Sequence, residues 1–388
     1  MTLISDSSSL AAFCDRLARS AYVTVDTEFM REKTYWSQLC LVQLAGPDEA
    51  MCVDPLAPGM DLAPLYALMA NERVLKVFHA ARQDVEIFLE MAGAIPRPLF
   101  DTQVAAMVCG FGDSVGYETL VNKLAKTTID KSMRFTDWSQ RPLSERQITY
   151  ALADVTHLRV VYERLRKRLE KDGRIGWLEE EMAVLTNPAT YRVPPEDSWR
   201  RLKPRSTSPR FLAVLRELAA WREMEAQSRN LPRQRVVRDE ALLEVAAHAP
   251  ASVEDLGRSR MVSKGLAEGR YGQDMLDAVA RAVTLPIEEC PTMEDRRVLP
   301  NGMAPVVDLL RVLLKMKCDV HDVAQKLVAS SEDLERIAAD DAAAVPALHG
   351  WRRDVFGADA LRVKHGELAL AFSPREKRVE LIPVTEED

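Results

Sequence analysis

Up to Met182 the chain switches back and forth between two hydrophobic periodicities, and beyond that residue it uses only one. Runs with strand character occupy Tyr22 to Phe29, Gln38 to Ala45, Ala50 to Asp54 and Val74 to Phe78. Between and after them lie segments with apolar residues three and four apart: Leu10 to Leu17, Leu62 to Met69, Ala81 to Met91, Thr102 to Cys109, Leu120 to Ala125 and Glu145 to Glu170. Early hairpin-like strands followed by helices predict an α/β layer structure on a mixed central sheet. Residues 187 to 210, NPATYRVPPEDSWRRLKPRSTSPR, hold five prolines without apolar periodicity and read as a connector. From Phe211 the pattern is helical, with a stripe at Phe211, Val214, Leu215, Leu218 and Trp221. A second Pro-containing stretch, TLPIEECPTMEDRRVLP, precedes a third region that starts near Val306. The expected units are therefore an α/β domain over 1–190, a linker over 191–210, a helical domain over 211–285, a linker over 286–305 and a second helical domain over 306–388. A length of 388 residues fits several cores better than one.

The two helical blocks echo each other. ALLEVAAHAPASVEDLGR (241–258) and AQKLVASSEDLERIA (324–338) both place a Ser before Glu-Asp-Leu at the start of a helix. Either a small module is repeated or a common capping pattern recurs by chance. The end of the chain, ELALAFSPREKRVELIPVTEED, is strand-like and carries no evident chemistry.

Hydrophobic residues make up 47% and charged residues 29%, the balance of a globular protein that water can surround. The beginning, MTLISDSSSL, lacks the basic and apolar regions of a secretory signal, and no apolar run is long enough to span a bilayer. A cytoplasmic protein without a membrane partner is expected. Six scattered cysteines with no C-x-x-C pair, and six histidines with no metal spacing, argue against a zinc site or a disulfide framework. The formal net charge of -7 disfavours a nucleic-acid partner on average. Between Arg200 and Arg238, however, eleven basic residues face three acidic ones, Glu217, Glu223 and Glu225. Such a segment is either a phosphate footprint or a solvated helix face.

The stretch VTVDTEF (23–29) is built for burial yet carries Asp26 and Glu28, one strand period apart and so on one side. Their Cα atoms lie about 7 Å apart, close enough for both heads to meet one cation; wet acids at a strand end are the alternative. Asp84, in HAARQDVEIF, lies at the edge of the apolar stripe of its helix, with Glu86 turned towards solvent. In ITYALADVTHL, Tyr150 and Asp154 share a helical face. Each element is weak alone. Together they place four carboxylates and a phenol in one α/β domain, a set of oxygen donors suited to Mg²⁺ or Mn²⁺. Two such ions balance four carboxylates and suit phosphodiester cleavage.

The strings VDTEF, HAARQDVEIF, FDTQ and DWSQRPLSERQITYALADV, in that order, closely resemble the ribonuclease D family, DEDD-type 3'-to-5' exonucleases of the tyrosine subclass. The likeness covers nearly all of residues 20 to 165, and the later blocks resemble HRDC domains. It implies a ribonuclease H-like exonuclease domain followed by two small all-α HRDC-type domains. It also implies a two-metal site in which Asp26 bridges both ions, Glu28 and Asp154 complete the water-activating one, and Asp84 serves the other. Tyr150 is implied to orient the attacking water. The family's reaction is hydrolysis of RNA from a free 3' end, releasing nucleoside 5'-monophosphates, with precursor tRNA as the chief substrate. Phe29 and Ile87 are placed to contact the terminal nucleotides, though Phe29 equally suits a core position. Arg141 either meets a phosphate or caps the following helix, and the basic stretch offers a track for the rest of the RNA. A DNA 3'-to-5' exonuclease and a non-catalytic RNA-binding protein are the rival readings. A helicase is disfavoured because no G-x-x-x-x-G-K-[ST] loop occurs.

Overall fold

A computed structural model describes residues 2–204, 206–293 and 299–384. The strands are β1 (Leu3–Ile4), β2 (Tyr22–Met30), β3 (Gln38–Ala45), β4 (Ala50–Val53), β5 (Leu75–Phe78) and β6 (Leu99–Asp101). They form one mixed sheet in the order β1-β4-β3-β2-β5-β6. β2, β3 and β4 make an antiparallel meander, while β5 adds to β2, β6 to β5 and β1 to β4 in parallel. The four longer strands lie where period-two patterning predicts them, within a residue at either end. β1 and β6, with two and three residues, are too short to leave such a signature.

Around the sheet lie α1 (Ser7–Leu17), α2 (Ala63–Ala70), α3 (Arg82–Ala92), α4 (Thr102–Val108), α5 (Tyr117–Leu120), α6 (Glu145–Lys171) and α7 (Ile175–Leu185). A single π-helical turn, Val121–Ala125, continues α5. The inner side of β2 buries Val23 and Val25 with Val77, Phe78, Val85 and Phe88. α6 starts where Ser144 and Gln147 form a reciprocal capping box. It packs across β2, β3 and β4, and the Thr24 hydroxyl donates to the Val155 carbonyl at 2.8 Å. That bond ties the strand bearing Asp26 to the helix bearing Asp154.

Arg141 fastens the approach to α6. Its Nε and Nη2 donate to the two oxygens of buried Asp54 at 2.7 and 2.6 Å, and Nη2 also reaches the Cys40 carbonyl at 2.7 Å. Nη1 donates to the carbonyls of Trp138 and Gln140, both at 2.8 Å. All five guanidinium hydrogens are therefore engaged. Neither role expected for Arg141 survives: Ser144 caps the helix, and no donor is left for a phosphate.

A second core gathers on α8 (Pro209–Ser228) and the short helices after it. It also takes in Trp199 and Leu202 from the Pro-rich stretch, which forms a 3-10 turn over Pro195–Arg201 instead of a free connector. Tyr35, in the loop after β2, enters this core as well. Its hydroxyl meets Glu223, and its backbone N–H donates to the Asn230 side chain at 3.0 Å. A third core lies on the helix Ala304–His321 and its successors. The strand-like end forms the hairpin of β7 (Leu368–Ser373) and β8 (Arg378–Pro383) against that core, with residues 385–388 outside the described ones. Residues 294–298 of the second Pro-containing stretch also lie outside them. The third unit docks on the first through stacked Trp177 and Trp351, 4.2 Å apart and 8° from parallel. The Ala324 N–H donates to the Met107 carbonyl at 2.9 Å. Both serines of the sequence echo cap helices alike: Ser252 accepts from the Asp255 N–H and Ser330 from the Asp333 N–H, each at 3.1 Å. Among the described residues no helix is long and apolar enough to cross a membrane.

Candidate active site

At the end of β2, beside α3 and α6, a cleft of about 500 Å³ is lined by Asp26, Glu28, Asp84, Tyr150 and Asp154. One carboxylate oxygen each from Asp26, Glu28 and Asp154 lies within 4.8 Å of the others. Ligand oxygens sharing one octahedral Mg²⁺ stand about 3 Å apart when adjacent and about 4.2 Å when opposite, given 2.0–2.1 Å bonds, so a shared cation would draw the three oxygens closer. Asp84 lines the same cleft but falls outside that trio. It sits in the first turn of α3, where the Thr27 hydroxyl donates to its Oδ1. Three of the four acids predicted from the sequence therefore converge on one point, and the fourth stands apart.

Electrostatics sharpens this picture. Burial, then the Asp154, Asp84 and Glu28 carboxylates, hold Asp26 well above the ordinary carboxylate range. Burial and the charges of Asp154 and Asp84 push Glu28 up to about 9. Burial raises Asp84 to about 7 against the Thr27 hydrogen bond, and Asp154 to about 7 against the Tyr150 hydrogen bond. Four crowded acids that resist ionisation need positive charge, and oxygen donors alone suit a hard divalent cation. Tyr150 is pushed further up, first by burial and then by Asp154. At neutral pH its phenol keeps its proton and acts as a donor.

Several partners escaped the sequence reading. Asp101 accepts from the N–H groups of Ala80 and Ala81 at 3.0 and 2.9 Å, fixing the turn that launches α3, and also caps α4. Its FDTQ setting, an acid at a strand end before a helix, is the signal for that role. Lys131 and Arg134 line the cleft. Arg134 offsets the negative charge at Glu28 and Asp154, while Lys131 pairs with Glu118. Two basic residues shortly before DWSQRPL were the available clue.

The remaining expectations divide. Phe29 borders the cleft and also packs against the first core, so both roles suggested for it are open to it. Ile87 is 2% exposed inside that core and has no surface to offer a nucleotide; the helix turns it inward, one turn beyond Asp84. The basic stretch is not a continuous track. Arg200, Arg216, Arg222, Arg229 and Arg233 pair with Asp197, Glu217, Asp239, Glu225 and Glu223. Arg210 donates to the Ala282 carbonyl. Exposed Arg201, Lys203, Arg235 and Arg238 keep free heads among the described residues, and Arg205 lies outside them.

Comparison with known proteins agrees with the fold. Residues 1–170 match the model of a 3'-5' exonuclease family, and residues 211–279 match the HRDC domain. The chain is 56% identical over 376 residues to the ribonuclease D of Granulibacter bethesdensis, covering 97% of this chain and 95% of that one. It is 55% identical over 381 residues to the ribonuclease D of Nitrobacter hamburgensis, covering 98% and 100%. The chain belongs to the ribonuclease D family. A solved ribonuclease D from Escherichia coli, described as an exoribonuclease involved in structured RNA processing, superimposes with a TM-score of 0.80 at 30% identity, covering 94% of this chain and 98% of that one. The catalytic core of RRP6 from Trypanosoma brucei, at 22% identity and a TM-score of 0.54 over 72% of this chain and 79% of that one, shares the fold. As a ribonuclease D the protein is an exoribonuclease that acts on RNA, and its first unit has the ribonuclease H-like exonuclease fold. The exonuclease fold implies dependence on divalent metal, in line with the carboxylate trio.

Proposed function

We propose that the chain removes nucleotides from the 3' end of RNA one at a time, releasing nucleoside 5'-monophosphates, with 3'-extended precursor tRNA as a characteristic substrate. The observation that carries this reading is the convergence of Asp26, Glu28 and Asp154 within 4.8 Å in a cleft that Asp84 and Tyr150 also line. Two divalent cations, Mg²⁺ or Mn²⁺, supply a water of lowered pKa and neutralise phosphate charge when bound there. Asp26, Glu28 and Asp154 would hold one ion, and Asp26 with Asp84 would hold the other. Tyr150 keeps its phenolic proton and orients the attacking water, while Asp154 holds the phenol in place. Hydrolysis joins the water oxygen to phosphorus and breaks the P–O3' bond, leaving a new 3'-hydroxyl on the shortened RNA. Phe29 packs against the terminal nucleotide, and Arg134 faces its phosphate.

We assign the exonuclease to 1–190 and HRDC-type domains to 211–285 and 306–388, with Trp199 and Leu202 of the expected linker joining the second core. The second and third carry the body of a structured RNA while the first works on its end. A 3'-extended tRNA incubated with Mn²⁺, with and without EDTA, tests the proposal. Stepwise shortening to 5'-monophosphates only without EDTA is expected. An RNA left intact supports a non-catalytic binding protein, and faster loss of a matched DNA supports a DNA exonuclease.

A further inference from the structure

Gln43, in the middle of β3, is fully buried, at 0% exposure. Neither its Oε1 nor its Nε2 has a hydrogen-bond partner. Folded proteins pair nearly all such atoms, so an amide left with both ends open calls for a reason. The ladder suggests one. Gln43 stands directly opposite Asp26 on β2 and Cys52 on β4, and Cys52 in turn faces Leu3 on β1. Residues opposed in this way carry their side chains on the same face of the sheet. One row therefore reads Asp26, Gln43, Cys52, Leu3.

The adjacent rows hold one other strong acceptor, Glu28, and the cluster of Leu41 and Cys52 includes the Trp138 indole, whose N–H is likewise unpaired. The rows on either side pair Thr24 with Ala45 and Glu28 with Leu41, and the Thr24 hydroxyl is directed at the carbonyls of Ala45 and Val155. Cys52 offers a weak thiol, and α6 presents Ala151 and Val155, both fully buried. The strong acceptor in Gln43's own row is the Asp26 carboxylate.

We propose that Gln43 is a positioning residue for Asp26: its Nε2–H donates to the Asp26 carboxylate when that carboxylate is ionised on a divalent cation, fixing which oxygen faces the metal. The inference rests on the reading of Asp26 as a metal ligand. A neutral amide suits the task. A lysine or arginine here would compete with the metal for Asp26, and another acid would add a fifth like charge to the cluster. Outer-shell hydrogen bonds of this kind commonly orient ligating carboxylates, and losing one costs about 10- to 100-fold in metal affinity or activity.

The test uses the full chain and Gln43→Met, which keeps length and bulk but removes the donor. Three quantities are read: the thermal midpoint in EDTA, the Mn²⁺ affinity by calorimetry, and kcat and KM on a 3'-hydroxyl RNA. The inference expects an unchanged or raised midpoint, Mn²⁺ affinity about 10- to 100-fold weaker, and a similar fall in kcat at constant KM. A folded variant with wild-type Mn²⁺ affinity and kcat overturns it. A readout independent of the variant's folding is the Gln43 side-chain amide resonance of ¹⁵N-glutamine-labelled wild type. Its protons should shift and exchange more slowly on saturation with Mg²⁺, and an unmoved resonance counts against the inference. Asp26→Asn separates the two readings. If it binds Mn²⁺ like wild type, the metal site itself is wrong; if it loses Mn²⁺ while Gln43→Met keeps it, only the role of Gln43 falls.

Discussion

Replacing Asp154 by Asn should stabilise the metal-free exonuclease unit, and the gain should grow with pH. Burial holds Asp154 at about 7 in the folded protein against an ordinary 3.8. Below about pH 4 both folded and unfolded chains carry the proton, and the acid costs nothing. Between about 4 and 7 the unfolded chain releases a proton that the folded one retains, so stability falls with rising pH, and above about 7 the loss is complete. At 1.36 kcal/mol per pH unit this amounts to about 4 kcal/mol. The substitution weakens the Tyr150 hydrogen bond, worth about 1 kcal/mol. The expected difference is therefore a gain of about 3 kcal/mol at pH 8 and a loss of about 1 kcal/mol at pH 4. For a unit of this size the gain is a rise of about 6 to 12 °C in midpoint. Calorimetry in EDTA from pH 4.5 to 8.5 measures it. Three cores rule out a single two-state transition, so hydrogen exchange of β2 amides must identify the relevant one. His79 and Lys76, held by burial at about 4 and about 8, act with the opposite sign as pH rises. Subtracting wild type at each pH removes them. A difference that stays flat with pH, or a destabilisation that grows, refutes the reasoning.

Other expectations follow from the same geometry. Asp26→Asn should reduce RNA cleavage to background while leaving the metal-free midpoint unchanged or higher, because one charge leaves a repelling cluster; substantial turnover in gel assays would remove Asp26 from the mechanism. Tyr150→Phe should slow cleavage by about 10² to 10⁴ yet retain Mn²⁺ binding by calorimetry, the scale of a positioned proton-handling group. Arg141→Met should destabilise the fold by about 3 to 5 kcal/mol in denaturant titration by leaving buried Asp54 unpaired. KM for RNA should stay unchanged, whereas a raised KM would restore the phosphate role.

How far the sequence could be read depended on whether the relevant contacts were local. Asp26 with Glu28, and Tyr150 with Asp154, are pairs whose shared face follows from strand and helix periods alone, and all four line the cleft. Ile87 shows where that logic stops: a helical period places it relative to Asp84 but does not say which flank meets the core. For Arg141 the deciding partner, Asp54, lies 87 residues away in the chain. Counting charges overstated the basic stretch because Asp197 and Asp239, just outside the window counted, neutralise two of its arginines.

By itself the sequence determined the alternation of strand and helix, the position of the longer strands and the identity of the acids and the tyrosine. These follow from periods that act over a few residues. Tertiary structure alone decided that Asp26, Glu28 and Asp154 meet while Asp84 stands aside on Thr27, that Arg141 serves Asp54, and that Gln43 faces Asp26 without a partner. Register between strands and the docking of α6 on the sheet bring together residues far apart in the chain. Those distances depend on packing the whole core, which no local pattern encodes.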